Sequence, residues 1–236
     1  MATRKIILCT RELDRELIAG LEAGMEIDVI PFIRTELADV SADQLDHASV
    51  LAIFTSRHAI EAVEQLIKGV NAKGWKVACL DGATKTSAER VFGAEAIILT
   101  AHDAKELGNK LAGVEPGMKF IFFSGDQRLD TLPMILNRNG RDWQEIVVYR
   151  TTATPARIDK QYDGILFFSP SAVKSFFSMN QVPASTVLFC IGATTAKIVG
   201  QVTGRDVVIS NGHSVEEMLK TVAGYFNEQQ VGNDCS

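Results

Sequence analysis

The residues of this chain that could do chemistry collect at one kind of place. Short apolar runs end in Ser, Thr or Gly, and a stretch of helical period begins within a few positions: Thr10-Arg11, Thr55-Ser56, Ser124-Gly125-Asp126, Ser169-Pro170-Ser171 and Gly192-Ala193-Thr194-Thr195. A helix N-terminus leaves backbone N–H groups unpaired and carries the positive end of the helix dipole, so each junction can hold an anion. Ser and Thr also serve there as ordinary N-caps, at roughly 1 kcal/mol each, and that role suffices for any single site. Recurrence at equivalent places in both halves of the chain is what points further, to a ligand bearing several carboxylates.

Acid, base and nucleophile candidates are few. The three tyrosines are Tyr149, Tyr162 and Tyr225. Tyr225 falls in the last helical stretch and Tyr162 in a polar one, where packing is expected, whereas Tyr149 ends the strand-like run Ile146-Val147-Val148-Tyr149. A phenol is protonated at neutral pH and can donate without tuning. The four histidines are scattered without metal-ligand spacing, so no bound metal is expected. No C-x-x-C occurs; Cys9, Cys79 and Cys190 lie in apolar runs and read as buried small thiols, with Cys235 in the terminal tail. The chain carries no G-x-G-x-x-G, no G-x-x-x-x-G-K-[ST] and no G-x-S-x-G, which removes the main support for dinucleotide, P-loop and hydrolase readings.

The elements that must position these residues alternate. Strands are predicted at Lys5–Cys9, Glu26–Ile30, Val50–Phe54, Lys76–Leu80, Ala96–Leu99, Lys119–Phe123, Gln144–Tyr149, Gly164–Phe168, Thr186–Ile191 and Asp206–Ile209. Helices are predicted at Leu13–Leu21, His58–Ile67, Lys85–Phe92, Ala104–Leu111, Leu129–Asn137, Ser171–Ser178, Thr195–Gln201 and Ser214–Phe226. Such alternation makes an α/β protein with largely parallel sheets. The strands also match in pairs: Lys5 to Thr10 with Lys119 to Ser124, Ile53 to Ile60 with Leu166 to Val173, and Val77 to Thr84 with Leu188 to Thr194. Two related five-stranded, doubly wound domains of the flavodoxin-like kind follow, in preference to one ten-stranded sheet.

Composition sets the outer bounds. With 46% hydrophobic and 22% charged residues, the chain falls among ordinary globular proteins. A net charge of −5 without a basic block argues against duplex nucleic acid as a partner, though not against a small anion. No apolar run approaches ~18 residues and the start of the chain is too short in apolar residues for a signal-peptide core, so no membrane association and a cytoplasmic location are expected.

In order along the chain, Thr10-Arg11, the block Phe54 to Ile60, Gly125-Asp126, Val148-Tyr149-Arg150-Thr151, Ser169-Pro170-Ser171-Ala172-Val173 and Ile191 to Ala196 resemble the uroporphyrinogen-III synthase family. Each block is weak alone, and the ordered set covers nearly the whole chain. The resemblance implies a cofactor-free cyclising lyase that acts as a monomer on hydroxymethylbilane, a linear chain of four pyrroles with eight carboxylates. Loss of the terminal hydroxyl as water leaves an azafulvene, and closure through a spiro-pyrrolenine inverts the last ring.

The same resemblance implies a discontinuous first domain, residues 1–31 and 153–236, a second domain, 37–147, and two extended linkers side by side, 32–36 and 148–152. It points to Tyr149 as the catalytic acid, and to Thr10, Arg11, Thr55, Ser56, Thr84, Ser124, Gly125, Ser169, Ser171, Gly192 and Thr195 as substrate contacts, with Arg57 a further candidate charge partner. Asp81 stands where the family usually has Gly, three residues before Thr84. The alternatives are a two-lobed binding protein for an anionic metabolite, separated by a test of catalysis, and a sugar- or nucleotide-modifying enzyme, separated by a nucleotide-dependent melting shift.

Overall fold

The computed structural model describes residues 4–13, 25–45, 49–68, 74–115, 117–212 and 214–233. The described strands are, in chain order, β1 (Lys5–Cys9), β2 (Met25–Val29), β3 (Ile33–Leu37), β4 (Val50–Phe54), β5 (Lys76–Leu80), β6 (Ile97–Ala101), β7 (Lys119–Gly125), β8 (Trp143–Ala153), β9 (Gly164–Phe167), β10 (Val187–Cys190) and β11 (Val208–Ile209). The described helices are α1 (Ala42–Leu45), α2 (Arg57–Leu66), α3 (Ala83–Phe92), α4 (Ala104–Ala112), α5 (Thr131–Arg138), α6 (Pro170–Phe177), α7 (Ala193–Thr203) and α8 (Val215–Asn233). The chain divides into two compact units, Met1–Arg34 with Thr152–Ser236, and Thr35–Thr151.

In the first unit the strands lie in the order β2-β1-β9-β10-β11, all neighbours parallel. Successive side chains of a strand point to opposite faces. Leu8, Ile165, Phe167, Leu188 and Cys190 therefore pack with Ala172, Val173 and Phe176 of α6 and Val199 of α7. Ile7, Leu166 and Phe189 pack on the other face with Met218, Leu219, Val222 and Phe226 of α8. Burial on both faces is why these strands read as unbroken apolar runs.

The second unit carries the order β3-β8-β7-β4-β5-β6. Strands β4 to β8 are joined by parallel pairs. Its two faces are filled by Ala52, Phe54, Val77, Ile121 and Phe123 on one side and Leu51, Ile53, Ala78, Phe120 and Phe122 on the other. With β7 counted first, β8-β7-β4-β5-β6 has the same layout as β2-β1-β9-β10-β11. The strands that match in sequence thus occupy matching places, and the second unit is a circular permutation of the first.

The stretches read as two extended linkers side by side form strands β3 and β8, which pair with each other. Ala38 N donates to Val148 O at 3.0 Å, and Thr154 N to Phe32 O at 2.9 Å. Residue number rises along β3 as it falls along β8, which is antiparallel pairing, and β8 runs on to Ala153 rather than stopping at Tyr149. Helix α1 was not expected: four residues are too few to show a period. Helix α3 begins at Ala83 rather than Lys85, because Gly82, at φ 71°, turns the chain directly into it. The expected strand Ala96–Leu99 starts one residue later, after a 3₁₀ turn at Ala94–Ala96, and that at Asp206–Ile209 shrinks to Val208–Ile209. The expected helix Leu13–Leu21 lies outside the described residues save for Leu13. Among the described residues no helix is long and apolar enough to cross a membrane.

Charged groups tie the start of the first sheet. Asp163 accepts from Ile6 N at 2.9 Å and from Lys5 Nζ at 3.0 Å. Burial alone would push its carboxyl up, but the Ile6 amide and the Lys5 ammonium hold it below the ordinary range. Asp28, bonded by Lys160 and Tyr162, is held low as well. A carboxyl depressed in the folded state adds stability above its unfolded pKa of about 4 and loses it as pH falls through the folded value. Wild type should accordingly lose stability between about pH 5 and 3. Asp163→Asn should flatten that loss by ~1 kcal/mol or less, as befits a part-exposed pair. Urea midpoints across this range measure it; an identical slope in the variant would refute the assignment.

Candidate functional site

In the second unit, the β4–α2 junction is built by Ser56. Its backbone is extended (φ −147°, ψ 138°) and its Oγ accepts from His58 N at 3.2 Å, an N-cap followed by the buried positions Ala59, Ile60, Ala62 and Val63. The Tyr149 hydroxyl donates to the same Oγ at 3.4 Å. The tyrosine ring lies directly against Gly125: a Cβ there would stand 2.3 Å from Tyr149 Cζ and 2.6 Å from its hydroxyl oxygen. No side chain fits at 125 while the ring stays in place.

A β-bulge produces this contact. Ser124 pairs with Val147 but Gly125 pairs with Tyr149, so β8 advances two residues while β7 advances one. Burial raises the Tyr149 phenol above its usual pKa; the Ser56 hydrogen bond opposes this and the Asp126 charge adds to it. The phenol therefore remains a neutral proton donor through neutral and mildly alkaline pH.

Ser124 lies in the buried stretch of β7. It is 2% exposed, and its hydroxyl donates to Glu145 Oε1 at 2.6 Å. Glu145 also takes a forked pair of bonds from Arg128, Nε at 2.7 Å and Nη2 at 2.8 Å, and these hold its carboxyl low. Arg128 bonds Asp130 too. Sequence reading missed Arg128 and Glu145, because what joins them is the adjacency of β7 and β8. Thr55 sits half-buried before the cap, and Thr84, 8% exposed, is in the first turn of α3 after an N-cap glycine that offers no side-chain bond. Asp81 lies 3.2 Å from His102 Nδ1, an exposed ring in the loop after β6.

The first unit repeats the scheme. Ser169 caps α6, its Oγ accepting from Ala172 N at 3.2 Å, with Pro170 in the first turn where a missing N–H costs nothing and Ser171 half-buried beside it. Gly192 caps α7 in extended backbone with no side-chain bond, and Thr195, 3% exposed, follows in the first turn. Ser56 and Ser169 are thus equivalent, as are Gly82 and Gly192. A Ser Oγ that accepts one bond still has its O–H to donate, so capping and ligand binding are compatible.

Thr10 is fully buried, and its hydroxyl donates to Leu166 O at 2.6 Å, which links the end of β1 to β9. Arg11 lays its guanidinium over the Phe168 ring at 5.3 Å. Tyr162, raised to about 12 by burial and by Asp28, and Tyr225, packed edge-on against Phe189, are structural. Burial pushes the Cys9 and Cys79 thiols to about 11 and Cys190 to about 12, which leaves them unreactive at neutral pH. Among the described residues no group of His, Cys, Asp and Glu could hold a metal ion.

Fold and junctions together define a two-unit, largely parallel α/β protein whose strands run into Ser- and Gly-capped helices, one of which, at Ser56 in the second unit, meets the Tyr149 hydroxyl. The family model described as Uroporphyrinogen-III synthase HemD matches residues 16–220, and the chain belongs to the uroporphyrinogen-III synthase family. No curated protein matches the sequence at a significant level. Among solved structures, uroporphyrinogen-III synthetase from Helicobacter pylori is similar at 17% identity and a TM-score of 0.66, over 94% of this chain and 100% of that one. A mutant uroporphyrinogen III synthase from the extremely thermophilic bacterium Thermus thermophilus is similar at 14% identity and a TM-score of 0.65, over 95% and 99%.

Proposed function

We propose that this chain closes hydroxymethylbilane to uroporphyrinogen III, inverting the last pyrrole ring, and that Tyr149 is its acid. The family match over residues 16–220 carries the reaction, a cyclising lyase step of tetrapyrrole biosynthesis. In the reading we favour, the Tyr149 hydroxyl protonates the departing hydroxyl, which leaves as water. The azafulvene carbon is then attacked by the substituted carbon of the last ring; the spiro-pyrrolenine fragments, recloses inverted and gives up a proton. No electrons are exchanged with an oxidant or reductant.

The intermediate can close without inversion unaided, so selectivity asks that a flexible polyanion be held in one geometry. The donors for this task are, in the second unit, the helix starts at Ser56 and Thr84 with Thr55 and Gly125, and, in the first unit, those at Ser169, Ser171, Gly192 and Thr195 with Arg11. Thr10 and Ser124, whose hydroxyls already donate within the protein, would act by shaping these junctions. The units are read as two flavodoxin-like domains, 1–31 with 153–236 and 37–147, an assignment supported by the 2-1-3-4-5 order of the first sheet and by the same layout, circularly permuted, in five of the six strands of the second. The proposal also takes the enzyme to be a cytoplasmic monomer.

Incubation with hydroxymethylbilane and separation of the oxidised products should give the type III isomer. Type I isomer alone, at the spontaneous rate, would overturn the reading. Among the junctions, Ser169→Ala and Thr195→Ala should each weaken turnover by ~0.5–1.5 kcal/mol, one donor among several. Steady-state kinetics decide this: if Arg11→Ala abolished binding while both junction variants behaved as wild type, a single cation would be the anchor instead.

A further inference from the structure

The loop after β7 grips the backbone on both sides of the residue that follows Tyr149. Asp126 N donates to Tyr149 O at 3.2 Å, the Asp126 carboxylate accepts from Thr151 N at 2.9 Å, and Gln127 Nε2 donates to Thr151 O at 2.8 Å. These bonds come immediately after the bulge that sets the Tyr149 ring on Gly125. A bulge interrupts the regular ladder, so its geometry depends on whatever bonds replace the lost ones. Arg128 anchors the loop in turn: its amide donates to Gly125 O at 3.3 Å and its guanidinium grips Glu145.

We propose that Asp126 is a positioning residue for the reaction, its carboxylate holding the 149–151 segment so that the Tyr149 hydroxyl stays at its working position beside Ser56. The proposal rests on the reading of Tyr149 as the acid. Asp126 is exposed and forms no part of either core, so its contribution to the fold is small and its effect on the tyrosine is local. Asp126 also opposes ionisation of the phenol, in keeping with a donor that must stay protonated.

The test is a double-mutant cycle on the full chain with hydroxymethylbilane, reading kcat and KM apart and Tm alongside. Asp126→Ala should lower kcat by about 3- to 10-fold, the range one lost hydrogen bond corresponds to, with KM and Tm near wild type. Asp126→Asn keeps an acceptor for Thr151 N and should recover most of the lost kcat. In a Tyr149→Phe background, Asp126→Ala should cost nothing more. Wild-type kcat for Tyr149→Phe would sink the tyrosine reading itself. A slowed Tyr149→Phe beside a wild-type Asp126→Ala, full additivity of the two changes, an Asp126→Asn as slow as Asp126→Ala, or an effect confined to KM would each sink the role of Asp126 alone.

Discussion

Tyr149→Phe is expected to fold as the wild type and to turn over substrate up to about 10²-fold more slowly, with little change in KM. The change keeps the ring that packs on Gly125 and takes away only the hydroxyl and its 3.4 Å bond to Ser56. A positioned acid contributes ~10²–10⁴-fold, and the low end or below applies here because the electron-rich pyrrole itself assists loss of water. Gly125→Val approaches the same group from the other side. Its Cβ would overlap the Tyr149 ring, so the ring must leave its site, and turnover should fall at least as far as in Tyr149→Phe. Stopped assays with isomer separation measure both. Wild-type turnover in a well-folded Tyr149→Phe protein would leave orientation at the junctions as the whole of catalysis.

The largest effect on stability is expected at Phe123. Its side chain is fully buried on β7, stacked between Phe54 and Trp75, each at 5.3 Å between centroids and 16° between planes. Truncation to alanine removes the transferred apolar surface and leaves a cavity that the flanking strands, fixed by parallel ladders, cannot close. Phe123→Ala should cost ~3–5 kcal/mol, a large share of the ~5–15 kcal/mol that holds an ordinary domain. Phe123 directly precedes Ser124 and Gly125, so a surviving fold should also lose activity through a shifted bulge. Denaturant unfolding followed by tryptophan fluorescence, which Trp75 reports from within the stack, gives the number. A loss under ~1 kcal/mol would mean that the stack is not a stability element.

What could be read from the chain alone is what depends on near neighbours. The Ser56 and Ser169 caps bond to amides two and three residues on, His58 and Ala172, and their spacing to the following apolar positions is visible as text. The apolar runs of β1, β4, β7, β9 and β10 are long enough in β-branched and aromatic residues to declare themselves, and their pairwise likeness announced two related units. The family blocks, too, are short local strings, which is why the resemblance could be seen. Shorter or less patterned pieces escaped: α1 has four residues, and β3 (Ile-Arg-Thr-Glu-Leu) is mostly exposed, so no period marks either.

Tertiary structure decided which side chains meet. Tyr149 and Gly125 touch because a bulge shifts β8 against β7, and Tyr149 reaches Ser56 across 93 positions of sequence. Thr10 and Ser124 looked like open donors at strand ends, yet Leu166, 156 positions away, and Glu145 already take their hydroxyls. Asp126 acquired its hold on residues 149–151 in the same way. Hydrogen bonds and packing act over a few ångströms, so a residue's local string can place it in a strand or a cap. Its partner, however, is chosen by strand order and register, which the burial of both sheet faces sets for the unit as a whole.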